Sequence, residues 1–376
     1  MLAERAFWFT WSQIQGMGPV LQKRLAQQFG SLAAAWEATP EALQQVEGIG
    51  SKLAWAIAQQ RRFFEPADAL QQTTPFLTPA DAAYPTVLYE IPDPPPVLYY
   101  QGQVGRLHTC QTHPAVGIVG TRRPSEYGKR WTRHLTTVLS QAGFLIISGL
   151  ADGIDREAHQ SCLDADGWTI AVLGAGVDVV YPHRNRELHW AIAESGLLLS
   201  EHPPGTPPNR VHFPRRNRII AGLSRAILVT EAPRQSGALI TAQLANDYGR
   251  DVFALPGSLD NHRCHGCLDL VNQGAHLIIE TADLLNTLGG IPVEIEPPQE
   301  ASLVTKLPDL PPDLMRVFQA VPGEAQSLDN IMKRLEDLFA DEIITTGEVL
   351  GALTQLEIEG LVTHLPGTQY YQRCSG

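Results

Sequence analysis

Hydrophobic positions divide the chain into three stretches of different rhythm. Up to about residue 75, apolar side chains recur at helical spacing in short runs broken by Gly-apolar-Gly turns. Gly16-Met17-Gly18 leads into a predicted helix at 21–29 and Gly48-Ile49-Gly50 into another at 53–60, an offset of 32 residues. Each copy has the glycine hairpin that joins two helices in a helix-hairpin-helix, where the turn and the next helix N-terminus offer backbone N–H groups to a phosphate. A compact helical module using the turns only for packing fits the same pattern, and the zero net charge of residues 1–75 suits that second reading.

From 76 to 290 short apolar runs alternate with amphipathic stretches. Strands are predicted at 116–119, 144–147, 169–173, 197–200, 226–230, 252–255 and 276–279, with helices between them at 127–141, 154–164, 186–194, 238–248 and 267–272. This order predicts an α/β domain, a parallel sheet with helices on both faces. Prolines 292, 297, 298 and 308 mark a linker over 291–308. Beyond it, helices at 314–320, 328–338 and 348–359, then strands at 361–365 and 370–372 joined at Gly367-Thr368, resemble a winged helix over 309–376.

Charge changes this picture in two places. Of the net charge of −12, the last stretch carries most: residues 291–376 hold 5 Lys and Arg against 14 Asp and Glu. Between Glu201 and Glu231 there is no acidic residue, yet Arg210, Arg215, Arg216, Arg218 and Arg225 occur there with Phe213 among them. Guanidinium forks suit phosphates and a phenyl ring suits a base, so a polyanion, nucleic acid first, is the expected partner of the centre, and the acidic end is expected not to read DNA.

Ligands of an open parallel sheet sit beyond the carboxyl ends of its strands. There the sequence places Gly120-Thr121-Arg122-Arg123, Ser148-Gly149, Gly174-Ala175-Gly176 and, after Glu231, Ser236-Gly237 at a helix start. Glycine allows close approach of a phosphate to the backbone. The third glycine of a dinucleotide fingerprint is missing after Gly174, and there is no Walker Gly-Lys-Ser/Thr, which weighs against nicotinamide and nucleoside triphosphates. Asp152, Asp155 and His159 invite a metal or acid–base reading, but with no third ligand in view structural hydrogen bonding is favoured. Five scattered cysteines argue against a disulfide framework, and Cys264-His265-Gly266-Cys267 lacks a second zinc-ribbon pair. No cofactor, metal or catalytic residue is therefore expected. With no leader pattern and no membrane-length apolar run, a cytoplasmic location away from membranes is expected.

Several longer motifs resemble the DprA/Smf family: Gly117-Ile118-Val119-Gly120-Thr121-Arg122-Arg123-Pro124-Ser125, Ser148-Gly149-Leu150-Ala151-Asp152-Gly153-Ile154-Asp155, Tyr181-Pro182, Phe213-Pro214-Arg215-Arg216-Asn217-Arg218, Ser236-Gly237-Ala238-Leu239-Ile240-Thr241-Ala242 and Gly249-Arg250-Asp251-Val252-Phe253-Ala254-Leu255-Pro256-Gly257. The resemblance implies a Rossmann-like centre between a helix-hairpin-helix (SAM-like) start and a winged-helix end. It implies a non-catalytic, homodimeric mediator that binds incoming single-stranded DNA during natural transformation and loads RecA recombinase in place of single-strand-binding protein. By motif, Arg122 and the Gly120-Thr121 backbone would hold phosphates, with Arg123, Ser148, Gly149 and Gly174 on the same rim. Arg210, Arg215 and Arg218 would extend the groove beside Asn217, Phe213 would contact a base, and Ser236-Gly237 would donate from the backbone. The chain departs from the family at His265-Gly266-Cys267-Leu268-Asp269 and Val271-Asn272, where one expected positive charge is missing. The rival is a nucleotide-cleaving enzyme of the lysine decarboxylase-like type, but its Pro-Gly-Gly-x-Gly-Thr-x-x-Glu run is replaced here by Pro256-Gly257-Ser258-Leu259.

Overall fold

The computed structural model describes residues 3–105, 107, 114–289, 310–321, 326–339, 345–358, 361–365 and 369–372. The predicted proline-rich linker, the Gly367-Thr368 turn, Cys110 and Cys374 lie outside the described residues. The chain divides into two compact units, Met1–Glu294 and Ile295–Gly376.

Nine strands form the main sheet: β1 Phe76–Leu77, β2 Leu98–Gly102, β3 Ala115–Val119, β4 Leu145–Ser148, β5 Thr169–Leu173, β6 Leu197–Ser200, β7 Ala226–Val229, β8 Asp251–Ala254 and β9 His276–Leu277. Their order is β1-β2-β6-β5-β4-β3-β7-β8-β9. The seven strands expected from the sequence are all present and run parallel, while β1 and β2 add an antiparallel edge on β6. Because successive side chains point to opposite faces, each parallel strand feeds two cores. Ile147, Ile170, Val172, Leu199, Ile227 and Val229 pack under the helices His212–Leu223 and Gly237–Asp247. Val116, Ile118, Ile146, Ala226 and Leu228 face Glu126–Gln141 and Ile154–Asp164.

From β3 the chain builds outward through β4, β5 and β6 on one side, then returns to lay β7, β8 and β9 on the other. The direction of winding therefore reverses between β3 and β7, and the loops leaving those two strands diverge. This switch point is where such a sheet opens a crevice for ligand.

The two N-terminal hairpins are near copies. Gly16 and Gly48 take φ of +90° and +93°, and a β-carbon at either would come within 2.9 Å of a leucine from the other copy, Leu53 and Leu21 respectively. Only glycine meets both demands. The module is tied to the sheet domain by Lys23, whose ammonium donates to the carbonyls of Tyr89 (2.8 Å) and Ile91 (2.9 Å), and by Arg5, which donates to Phe76 O (2.7 Å).

In the second unit, helices Pro312–Ala320, Leu328–Leu338 and Thr346–Ile358 surround a core of Leu314, Val317, Ile331, Leu335, Val349 and Leu353. Strands β10 Gln326–Ser327, β11 Val362–Leu365 and β12 Gln369–Gln372 form an antiparallel sheet in the order β10-β12-β11.

Candidate nucleic-acid interface

A cleft of about 650 Å³ opens at the switch point. One wall is the Gly120-Thr121-Arg122 turn after β3, the opposite wall is the start of Gly237–Asp247, and the first turns of His212–Leu223 close the third side. Arg122 and Arg210 are exposed on its rim. The Arg122 guanidinium stands 5.6 Å from the centre of the Phe213 ring, and that ring stacks on Tyr181 at 5.6 Å and 28°. The ring reaches this place because Gly174 has no side chain: a β-carbon there would lie 2.8 Å from Phe213. Asn217 reaches across to the Gly237 carbonyl (3.3 Å), and Ser236 caps its helix by accepting from Ala238 N (3.3 Å).

Buried polar groups set the loops. Glu231, fully buried just after β7, accepts from the Ser125 amide and hydroxyl (both 2.7 Å) and from Asn261 (3.1 Å), while its carbonyl takes the Thr121 amide (2.7 Å). One residue thereby fixes both ends of the 121–125 turn. The turn after β4 is held in the same way: Asp155 accepts from Gly149 N (3.1 Å) and Ala151 N (3.4 Å), and His159 Nε2 accepts from Leu150 N (3.3 Å). Thr169 gives its hydroxyl proton to Ile146 O, so His159 Nδ1 carries a hydrogen donated to Thr169, which defines the tautomer. Burial holds His159 down to about 3, so the ring is neutral at ordinary pH. Asp155 and His159 thus shape a loop through hydrogen bonds.

Beneath the cleft lies Arg216, 4% exposed, donating to the Val172 carbonyl and packed against the bare α-carbon of Gly149. Burial lowers its guanidinium to about 10, opposed by the nearby charge of Asp155. Asp155 in turn is pushed upward by burial and held back by Arg216. Arg216 thus forms a buried cationic floor beneath these turns, with the Asp155 carboxyl near it.

The expected site residues separate. Gly120, Thr121, Arg122, Arg210, Phe213, Asn217, Ser236 and Gly237 line the one cleft. Gly149 and Gly174 line a small adjoining slot of about 30 Å³. Two expectations are corrected, those for Arg218 and Ser148, and two further residues, Arg215 and Arg123, stand outside this cleft. Arg218 does not extend the groove: it is 6% exposed and bound by Asp93 (3.0 Å) and Glu201 (2.6 Å). Arg215 is exposed, but its helical position turns it to a different cleft. Ser148 is fully buried and donates to Ile118 O (2.6 Å), so it braces the strand ends rather than meeting solvent. Arg123 is exposed and does not line the cleft, its amide donating to the Thr121 hydroxyl (3.2 Å). Sequence reasoning misses Arg216 and Tyr181 as site residues; the Tyr181-Pro182 pair shortly after β5 is the available signal for the latter.

Cys264 and Cys267 are buried thiols pushed up to about 11 and about 12, Cys264 near Glu231 and Cys267 against Val229 O. Among the described residues no cluster of metal-ligating side chains occurs, and no helix is long and apolar enough to cross a membrane.

Residues 75–289 match the family described as DNA recombination-mediator protein A, and residues 11–71 match a helix-hairpin-helix motif. The chain is 47% identical to protein Smf of Synechocystis across 99% of each chain. It is 44% identical to DNA processing protein DprA of Bacillus subtilis over 54% of this chain and 68% of the relative. Among solved structures, DNA processing protein A of Streptococcus pneumoniae matches at a TM-score of 0.66 and 33% identity, covering 75% of this chain and 97% of the other. The DNA processing protein A of Helicobacter pylori, solved for its single-stranded DNA binding mode, matches at 0.52 and 32%, covering 57% and 96%. With a family match over the whole sheet domain and a relative aligned from end to end, this chain belongs to the DprA/Smf family of DNA recombination mediators.

Proposed function

We propose that the protein binds single-stranded DNA in the switch-point cleft, without catalysing a reaction there, and hands the strand to a RecA-type recombinase. The observation that carries this reading is the company of Arg122, Arg210 and Phe213 on one rim, facing a helix start across the cleft. Guanidiniums neutralise phosphates, the Phe213–Tyr181 pair offers an aromatic surface to a base, and the first turn of Gly237–Asp247 favours negative charge. A duplex hides its bases, so only an unpaired strand uses both kinds of interaction. Single-stranded DNA binding by the Helicobacter pylori relative supports the same reading. Homodimerisation, RecA loading and exchange with single-strand-binding protein rest on the family resemblance. The acidic unit beyond residue 300, read as winged-helix-like, would then serve as a protein-docking or autoregulatory module.

The test is a mobility shift comparing single-stranded and duplex oligonucleotides of one sequence, on the wild type and on an Arg122→Ala/Arg210→Ala/Phe213→Ala variant. The wild type is expected to prefer the single strand and the variant to weaken by two orders of magnitude or more, about 3 kcal/mol or above. Equal binding of both DNA forms, or an unaffected variant, would reject the reading. Adding RecA to DNA coated with single-strand-binding protein tests the hand-over: filament formation is expected to quicken with the wild type and not with the triple variant.

A further inference from the structure

A second cleft, of about 600 Å³, opens on the other flank of the His212–Leu223 helix. Its lining joins the sheet domain to the first N-terminal hairpin: Gly18, Pro19 and Val20 form one side, Arg215 and Tyr248 others. Pro214 and Ile240 line this cleft and the switch-point cleft alike, so the two are adjoining basins separated by that ridge. Ile240 and Val20 are 44% and 38% exposed, and with Leu244 and the Tyr248 ring they make an apolar wall of the kind a base rests on.

Two carboxylates and two arginines line this cleft; Asp93 and Glu201 are both committed to Arg218, which leaves Arg215 as the outward charge. Arg218 is 6% exposed, forms part of the cleft wall, and keeps an Nη1 with no hydrogen-bond partner among the described residues. Arg215 is exposed and has no carboxylate partner among the described residues. Opposite it begins the 11-residue helix Pro19–Phe29, whose N-cap Gly18 supplies no side-chain acceptor for the first-turn amides.

We propose that this second cleft takes the next nucleotides of the strand bound at the switch point, so that single-stranded DNA runs over the Pro214–Ile240 ridge, past Arg215, to the first hairpin. The inference rests on the single-strand reading above. It gives the two hairpins different roles despite their near-identical backbones, since only Gly18-Pro19-Val20 borders the cleft and its counterpart at Gly50 does not.

Gly18 permits a clean test. A β-carbon there meets nothing within 4 Å, its φ of −81° suits any residue, and Asp and Asn are both good N-caps. Gly18→Asp therefore places a negative charge at the cleft mouth in an intact fold, and Gly18→Asn is its neutral control. Binding is measured by fluorescence anisotropy with oligothymidylates of about 5 and about 15 nucleotides at low salt, a span within single-strand site sizes. For the longer strand Gly18→Asp is expected to lose about five- to tenfold in affinity and Gly18→Asn less than about twofold, while all three proteins bind the shorter strand alike. Unchanged binding of the longer strand by Gly18→Asp, or an equal loss with Gly18→Asn or with the shorter strand, would overturn the second cleft alone. Failure of the wild type to bind either strand would instead remove the underlying single-strand reading, and the inference with it. As a check that needs no variant, 5-iodouracil placed at the far end of the longer strand is expected to photocrosslink to Tyr248 or the hairpin; adducts confined to the switch-point loops would contradict the path.

Discussion

The two flanks of the His212–Leu223 helix use the same residue type for opposite purposes. Facing the switch point, Arg122 and Arg210 stand exposed on a rim that includes the Phe213 ring, and Asp155, the carboxylate of that cleft's lining, is buried among backbone amides. On the other flank Arg218 is enclosed by Asp93 and Glu201 and serves the fold, leaving Arg215 as the outward charge. Arg215, Arg216 and Arg218 fall within four consecutive positions yet point to solvent, to the floor beneath the first cleft, and to an internal ion pair. An arginine's role here is decided by the helix face it occupies and by carboxylates distant in sequence, not by the local density of positive charge.

The largest effect expected from breaking this division is at Arg216. Replacing it by Met leaves Asp155 buried without its compensating charge, and a loss of folding stability of about 3–5 kcal/mol is expected in urea unfolding. A loss under about 1 kcal/mol would mean that Arg216 does not form the floor described. Next comes Phe213: Phe213→Ala is expected to weaken single-strand binding by about 1–3 kcal/mol, with stability nearly unchanged, as measured by anisotropy alongside thermal unfolding.

Arg218→Gln sharpens the contrast. It should lower stability by about 1–2 kcal/mol, moderated by the partial exposure of Asp93, and leave binding of a strand short enough to fill only the switch-point cleft within about twofold. A pure affinity loss at constant stability would place Arg218 back in the groove. Removing residues 300–376 is expected to leave single-strand affinity nearly intact, because that end carries 5 positive against 14 negative side chains from residue 291 onward.

A separate effect on stability is a pH slope. The folded-state pKa of His159, near 3, lies below its ordinary value of 6.5, so the unfolded chain binds the extra proton. Its stabilising share is complete above about pH 6.5 and is lost progressively as pH falls toward 3, at up to about 1.4 kcal/mol per pH unit. Asp155, shifted upward, acts with the opposite sign as pH falls through its raised value. Comparing wild type with His159→Asn by urea unfolding across this window isolates the histidine: the variant's curve is expected to be flatter.

The sheet was legible because its strands are buried on both faces and read as unbroken apolar runs between helical stretches. Strands β1 and β2 were not, since β1 has only two residues and β2 follows closely on the prolines of residues 92–96. The helix His212–Leu223 was hidden by Pro214, which reads as an interruption but occupies the first turn, where its missing N–H costs no hydrogen bond. Without that helix the arginines looked like one linear strip. Nothing local revealed that Asp93, more than a hundred residues away, would meet Arg218. The glycine turns were legible from position alone, because strand carboxyl ends are where this fold opens; their bracing by Glu231 and Asp155 depends on side chains brought together only by folding.

On the proposed reading, exposed guanidiniums at the switch point, and not the paired one across the helix, are expected to hold the phosphates. The direct measurement is the salt dependence of affinity for a single strand short enough to fill only the switch-point cleft, for wild type, Arg122→Ala/Arg210→Ala and Arg218→Gln. The double variant is expected to show a log–log slope shallower by about 1.4, about 0.7 for each phosphate no longer neutralised, with Arg218→Gln keeping the wild-type slope. An unchanged slope in the double variant, or an equal flattening in Arg218→Gln, would contradict the account.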